Sequence, residues 1–299
     1  MTNPKQHHFI PKAYLRFFLK DQQKSELISV TDLKKRKHYQ TNIKNIGGER
    51  YFNRAKVDGK DSDELEVILS KFETQIPSAL ENVPHNATFF KSNSFNVILN
   101  LIALIYSRNP SLRSSLECFI GKISERFLEL HARHNPKTTG TIENNASYKD
   151  FINKKRYKIV VPKEMMIPLE FEFLDSFISQ LSKLGWTLII SEKSNGPFIT
   201  SESPVVITWK NPEMIPTFFR NSPGIGCIGT QIQFPITKEI AIVGEIEARD
   251  SIIKVNREWV ARFNTNTMSF SKRLFSPDFN YHFINNEGTL SEGNDVFRE

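Results

Sequence analysis

The spacing of apolar residues changes period twice along the chain. Residues 26–42 read "ELISVTD", a basic run, then "KHYQTN": two β-rich stretches around a turn, which predicts a hairpin. From Asp61 the period becomes helical, with Leu65, Ile68, Leu69, Phe72 and Ile76 on one stripe. Asp61 and Glu64 have capping-box spacing, and Pro77 is expected to kink or end this helix. Residues 95–107 are apolar around nearly the whole circumference, predicting a central buried helix closed before Pro110. A longer amphipathic helix is marked by Leu112, Leu116, Phe119, Ile120, Ile123, Phe127 and Leu130. Another, over 169–184, would bury Phe173, Phe177, Leu181 and Leu184. Beyond Gly185 the period falls to two: "WTLIIS", "FITS", "VVITW", "TQIQFPI" and "EIAIVGE" predict short strands. A late helix over 255–268 and a strand "KRLFS" follow.

The expected fold is α+β: a helical N-terminal half with a basic β-hairpin, packed on a mainly antiparallel or mixed sheet in the C-terminal half. Residues 135–147 are polar and contain Gly and Pro, so an exposed loop is expected there. It would divide residues 1–134 from 148–299, or interrupt one continuous domain.

Composition narrows the setting. A hydrophobic fraction of 39% with 24 phenylalanines suffices for a sizeable core. The two cysteines, Cys118 and Cys227, lie far apart, which indicates neither a disulfide framework nor a zinc cluster. The first residues lack the apolar core of a signal peptide, and the most apolar window, 95–106, falls short of the ~20 residues of a membrane span. A cytoplasmic protein without membrane contact is expected. The net charge of +7 is unevenly placed: residues 1–60 hold 14 Lys and Arg against 5 Asp and Glu, while the remainder holds 26 against 28. A localised basic field suits a polyanion, whose phosphates bind through counterion release, so Lys34, Lys35, Arg36 and Lys37 are candidate nucleic-acid contacts. The alternative is that they solvate the hairpin turn.

The candidate chemistry begins with His7 and His8 in "QHHFIPKAYLRFF". An imidazole can move a proton or ligate a metal near neutral pH, so either histidine is a candidate catalytic residue or an anchor of the chain start. Glu66 and Glu73 are two helical turns apart on one flank, a spacing that suits an acid/base pair or Mg²⁺. Arg108 leaves the end of the buried helix, where its guanidinium is expected to emerge at a cleft and clamp phosphate or carboxylate. Ser201 and Glu202, in "TSESP", are candidates for substrate binding or for holding turn amides. "GIGCIG" at 224–229 formally matches a dinucleotide fingerprint, but a strand rather than a helix is expected after it, so a nucleotide role for these glycines is set aside.

The pattern HHxxPxxYLxxF at 7–18, the Glu-bearing helix "ELEVILSKFE", "SRNP" after a hydrophobic helix, and "ITSESPV" later resemble a bacterial family of unknown function. That resemblance implies an accessory or defence-associated protein, with a toxin or effector role and a partner within a defence system. The family turn reads TSDxP, whereas this chain carries Glu202. The leading expectation is an effector-type enzyme acting on nucleic acid or another phosphorylated substrate, such as a nuclease in anti-phage defence. The rival is a noncatalytic nucleic-acid or protein binding module. Convergence of a histidine, Glu66, Glu73 and Arg108 in one concave site separates the two.

Overall fold

A computed structural model describes residues 6–57, 60–62, 64–81, 83–134, 159–220 and 223–298. The expected loop at 135–147 lies outside them. The chain is α+β, with mixed and antiparallel sheets, but its first half is not purely helical. It opens with strand β1 (Gln6–His8), a single helical turn α1 (Lys12–Leu15), the hairpin β2 (Leu27–Asp32) and β3 (Lys37–Asn42), and strand β4 (Gly48–Arg50). A small hairpin, β5 (Ala55–Val57) and β6 (Lys60–Ser62), precedes helix α2 (Glu64–Glu73). Asp61 therefore lies within β6, and α2 begins at Glu64 rather than just after Asp61 as the spacing predicts. Pro77 stands near the start of a separate helix, α3 (Ile76–Glu81), where its fixed φ and missing N–H are tolerated.

Helix α4 (Asn93–Ser107) starts where the Ser92 hydroxyl accepts the Phe95 N–H, and nearly its whole surface is buried. Helices α5 (Pro110–His134) and α6 (Lys163–Leu181) follow, with Tyr106 of α4 stacked on Phe177 of α6 at 4.6 Å. The apolar stripe of α5 is only partly covered: Leu112, Leu116 and Ile120 are half-buried, whereas Phe119, Ile123, Phe127 and Leu130 are exposed. Ile68 of α2 is likewise exposed.

Five strands form the larger sheet: β7 (Gly185–Ser191), β9 (Val206–Trp209), β10 (Thr230–Pro235), β11 (Ile240–Glu245) and β12 (Ser251–Val255). Their order is β12-β7-β11-β10-β9, antiparallel except for β12 beside β7. One face carries Trp186, Leu188, Ile232, Phe234 and Ile242 into the main core; Ile189 and Val243 point the other way, against helix α7 (Arg257–Ser269). The main core covers one face and α7 part of the other, which is why "WTLIIS" is apolar almost throughout. Gly244 lets the Trp186 ring lie flat across β11, since an added Cβ would stand 2.8 Å from it.

The second sheet joins the two halves of the sequence. Its order is β3-β2-β13-β8, with β8 (Thr200–Ser201) and β13 (Arg273–Ser276), so β2 pairs with a strand some 240 residues later. A last hairpin, β14 (His282–Ile284) and β15 (Leu290–Glu292), closes the described chain. The main core likewise mixes Phe9, Tyr14 and Phe18 with Ile98, Phe234 and Phe275. The regions before and after the undescribed stretch therefore share one sheet and one core.

Candidate functional site

The site is built where β1 meets β4. In register, His7 faces Glu49 and His8 faces Gly48. Consecutive strand residues point to opposite sides, so the two imidazoles enter different surroundings. A Cβ at Gly48 would lie 2.9 Å from the His7 carbonyl oxygen and 3.2 Å from His8 Cδ2, which makes glycine the residue that fits.

His7 is wholly buried. Its Nδ1 accepts the backbone N–H of Asn53 at 3.0 Å, so that lone pair is in use. Glu66 Oε2 stands 3.8 Å from the same nitrogen, but with Nδ1 acting as acceptor this contact is not a hydrogen bond. Glu66 is held instead by the Asn53 side-chain N–H at 2.5 Å. Asn53 reaches inward because the preceding turn is forced: Tyr51 has φ +57°, a conformation costly for an aromatic residue, and its ring is flanked by Arg50 and Arg54 at 5.8 and 4.2 Å.

His8 differs. Burial, followed by the charge of Lys12, holds its pKa below the usual value, partly offset by the Lys44 backbone and Glu66. Its buried Nε2 has no hydrogen-bond partner among the described residues. The ring is thus favoured neutral, and an Nδ1–H facing the Lys44 backbone leaves the Nε2 lone pair unused.

Arg108 does not emerge into solvent as the sequence suggests. Only 1% of it is exposed. Its Nη2 donates to Asn53 Oδ1 at 2.6 Å and to the His8 carbonyl at 3.4 Å, while Nη1 has no partner among the described residues. Burial lowers its pKa to about 10, against the opposing pull of Glu66, Glu170 and Glu73, so it is a cation at neutral pH. Burial also raises the pKa of Glu73, and the charge of Glu66 adds to this; Arg108 and Lys12 pull the other way.

A second ion pair braces the group. Arg113 binds Glu170 through both Nε and Nη2, donates Nη1 to the Phe52 carbonyl at 3.1 Å and lies 3.7 Å above the Phe52 ring. The turn carrying Asn53 is therefore clamped from α5 and α6. Neither Asn53, Arg113 nor Glu170 was flagged by the sequence patterns.

The structure thus brings His7, His8, Glu66, Glu73 and Arg108 into one electrostatic cluster. The turn holding Ser201 and Glu202 borders it through Asn109, next to Arg108, which donates to the Glu202 carbonyl at 3.1 Å and to the Ser203 hydroxyl oxygen at 3.0 Å. Their own side chains are engaged. The Ser201 hydroxyl accepts the Ser203 N–H and the Ser271 hydroxyl, and Glu202 accepts Arg273 at 2.8 Å and the Lys272 N–H. Lys34, Lys35, Arg36 and Lys37 form the exposed β2–β3 turn, where Arg36 donates to the Phe297 carbonyl at 2.8 Å. His131 packs on Phe127 at 6.5 Å. Residues 224–229 form a turn entering β10 rather than a helix start.

Among the described residues, no group of three or more His, Cys, Asp or Glu is arranged to hold a metal ion, and Glu66 and Glu73 share their surroundings with a buried guanidinium instead. No helix there is long and apolar enough to cross a membrane. No curated protein and no solved structure matches the chain. A family model does match residues 6–275, nearly the whole length, and on that match the chain belongs to the family described as protein of unknown function DUF4238.

Proposed function

We propose that the chain is a hydrolase directed at a phosphate ester, with nucleic acid as the substrate class and a nuclease-type effector role in defence as the setting. The observation that carries this reading is a pair of buried nitrogens without partners among the described residues, His8 Nε2 and Arg108 Nη1, on residues linked by the Arg108 Nη2–H donated to the His8 backbone carbonyl. An unpaired buried polar atom costs about 1–3 kcal/mol, a cost that an anionic oxygen and a nucleophilic water would offset.

In this scheme Arg108 neutralises the phosphate, and the neutral His8 Nε2 takes a proton from water as its oxygen attacks phosphorus. The bond to the leaving oxygen breaks, and Glu73, whose raised pKa favours its acid form, returns a proton to that oxygen. His7, Asn53 and Glu66 hold the geometry without touching substrate. The exposed Lys34–Lys37 turn supplies long-range attraction for a polyanion.

The test is hydrolysis of an activated phosphodiester and of labelled single- and double-stranded nucleic acid across pH. His8→Ala and Arg108→Met should each lower the rate at least ~100-fold. The wild-type rate should fall on the acid side with a midpoint below the usual histidine value of 6.5, matching the downward shift of His8. Retained rates in His8→Ala would refute its role as base.

One observation favours a second reading. Arg108 is almost completely enclosed, as suits a strut that fixes β1 to α4 in a noncatalytic binding module. On that reading His8→Ala leaves polyanion binding intact, and wild-type protein binds nucleic acid without cleaving it.

A further inference from the structure

A concave site lies on the face of the large sheet that carries Ile189 and Val243, and none of its lining residues belongs to the histidine and arginine cluster. α7 crosses only part of this face, and between helix and strands runs a groove of about 580 Å³, within the ~300–1,000 Å³ range of small-ligand sites. Its width is fixed from within: buried Gln233 on β10 donates to the Phe263 carbonyl at 3.1 Å and accepts from Asn266 at 3.0 Å, tying floor to wall. The groove is therefore preformed.

Its lining combines three chemistries. Trp259, stacked on Phe263 at 5.8 Å, offers a flat aromatic surface above an apolar floor that includes Val243. At one end Gln231 and Glu245 stand directly opposite each other across β10 and β11, with Lys210 bound to Glu245 at 2.7 Å. One turn along α7 from Trp259, Arg262 is exposed and can swing from its partner Glu258. Within the described residues neither the Gln231 side-chain amide nor the Trp259 indole N–H makes a hydrogen bond.

We propose that this groove binds an adenine nucleotide. A planar base stacks on Trp259. The free amide of Gln231 matches the adjacent donor and acceptor of the adenine N6/N7 edge, and Glu245 accepts from the same exocyclic amine. Arg262 supplies a cationic donor for the phosphate, while Lys210 stays paired with Glu245 at the base end. An acyl chain would leave these polar floor residues unpaired, and a bare anion would leave the aromatic wall unused.

The test uses full-length protein and calorimetric titration with AMP, adenosine, GMP, ribose 5-phosphate and inorganic phosphate, supported by tryptophan fluorescence. AMP should bind with Kd below ~1 mM, adenosine more weakly, and the other three at least about tenfold more weakly than AMP. Gln231→Leu, which removes an amide without a partner, should weaken AMP about tenfold or more with an unchanged melting temperature. Trp259→Phe keeps the packing and should abolish the fluorescence response. Failure of AMP to bind overturns the proposal, as does ribose 5-phosphate or phosphate binding as tightly. GMP binding equal to AMP overturns the adenine assignment, and an unaffected Gln231→Leu moves the ligand elsewhere. None of these outcomes depends on phosphodiester hydrolysis at His8.

Discussion

Replacing Glu170 by Gln changes one charge and almost no volume, yet it should be among the most damaging substitutions in the protein. The Glu170 and Arg113 side chains are only 2% and 8% exposed. In the variant the Arg113 guanidinium stays buried with only neutral acceptors, the amide oxygen of the glutamine and the Phe52 carbonyl, one of its donors meets an amide NH2, and Arg108 loses the stabilising charge of Glu170. Breaking a buried pair from one side costs about 3–5 kcal/mol. For a chain of this size that corresponds to roughly 5–8 °C in Tm. Urea denaturation followed by circular dichroism measures the loss directly.

The same reasoning makes a sharper statement about the double variant. Arg113→Met with Glu170→Leu removes both desolvation penalties and leaves apolar groups against the Phe52 ring, so it should recover most of what Glu170→Gln loses. The exposed Arg262–Glu258 pair on α7 is the control, and breaking it should hardly move the midpoint. A Glu170→Gln loss below ~1 kcal/mol, or a double variant no more stable than the single one, would refute the buried-pair account.

Glu73→Gln should show a pH-dependent gain. A carboxyl whose folded pKa is raised binds more protons folded than unfolded, so wild-type stability falls as pH rises above the usual glutamate value of 4.5 and the variant's does not. Equal pH profiles in thermal melts from pH 4 upward would contradict this. For His8, with its folded pKa lowered, the sign reverses: wild type loses stability as pH falls below 6.5, and His8→Ala should flatten that limb. Gly48→Ala should cost about 1–3 kcal/mol by crowding the His7 carbonyl and His8 ring, with phosphodiester hydrolysis lost as the ring shifts. Replacing Lys34, Lys35, Arg36 and Lys37 by Ser should flatten the logarithmic salt dependence of nucleic-acid binding by up to ~0.9 per lost phosphate contact; an unchanged slope removes the turn from the interface.

Periodicity carried the reading of the helices and of the five-stranded sheet, because burial there repeats with the local geometry. It failed where a boundary depends on one peptide unit. Asp61 has cap spacing but pairs opposite Lys56 in a strand, and Pro77 opens a helix instead of closing one. One part of the cluster was legible and went unread. Glu170 shares the buried stripe of α6 with Met166, Phe177 and Leu181, and a carboxylate in that phase demands a buried cation. Asn53 was not legible: its role arises from the forced conformation of Tyr51 and from partners 46 and 55 residues away.

Those separations bear on how the site is to be probed. Asn53 alone links β1, α2 and α4, through His7, Glu66 and Arg108. None of these bonds is local, and the one to His7 needs β1 docked on β4, in the segment whose Phe9, Tyr14 and Phe18 enter the main core. The polar cluster and that core are thus parts of one cooperative unit. Deleting residues 6–18 would strip apolar side chains and imidazoles together, and a loss of activity would then report only on folding. Single-atom changes avoid this. Asn53→Asp replaces the donor to Glu66 with a second carboxylate but keeps the backbone N–H that His7 accepts. Two facing carboxylates beside Arg108 should raise the pKa of one of them, lowering stability at pH 8 more than at pH 5. A pH-independent loss would mean that Asn53 acts through shape alone.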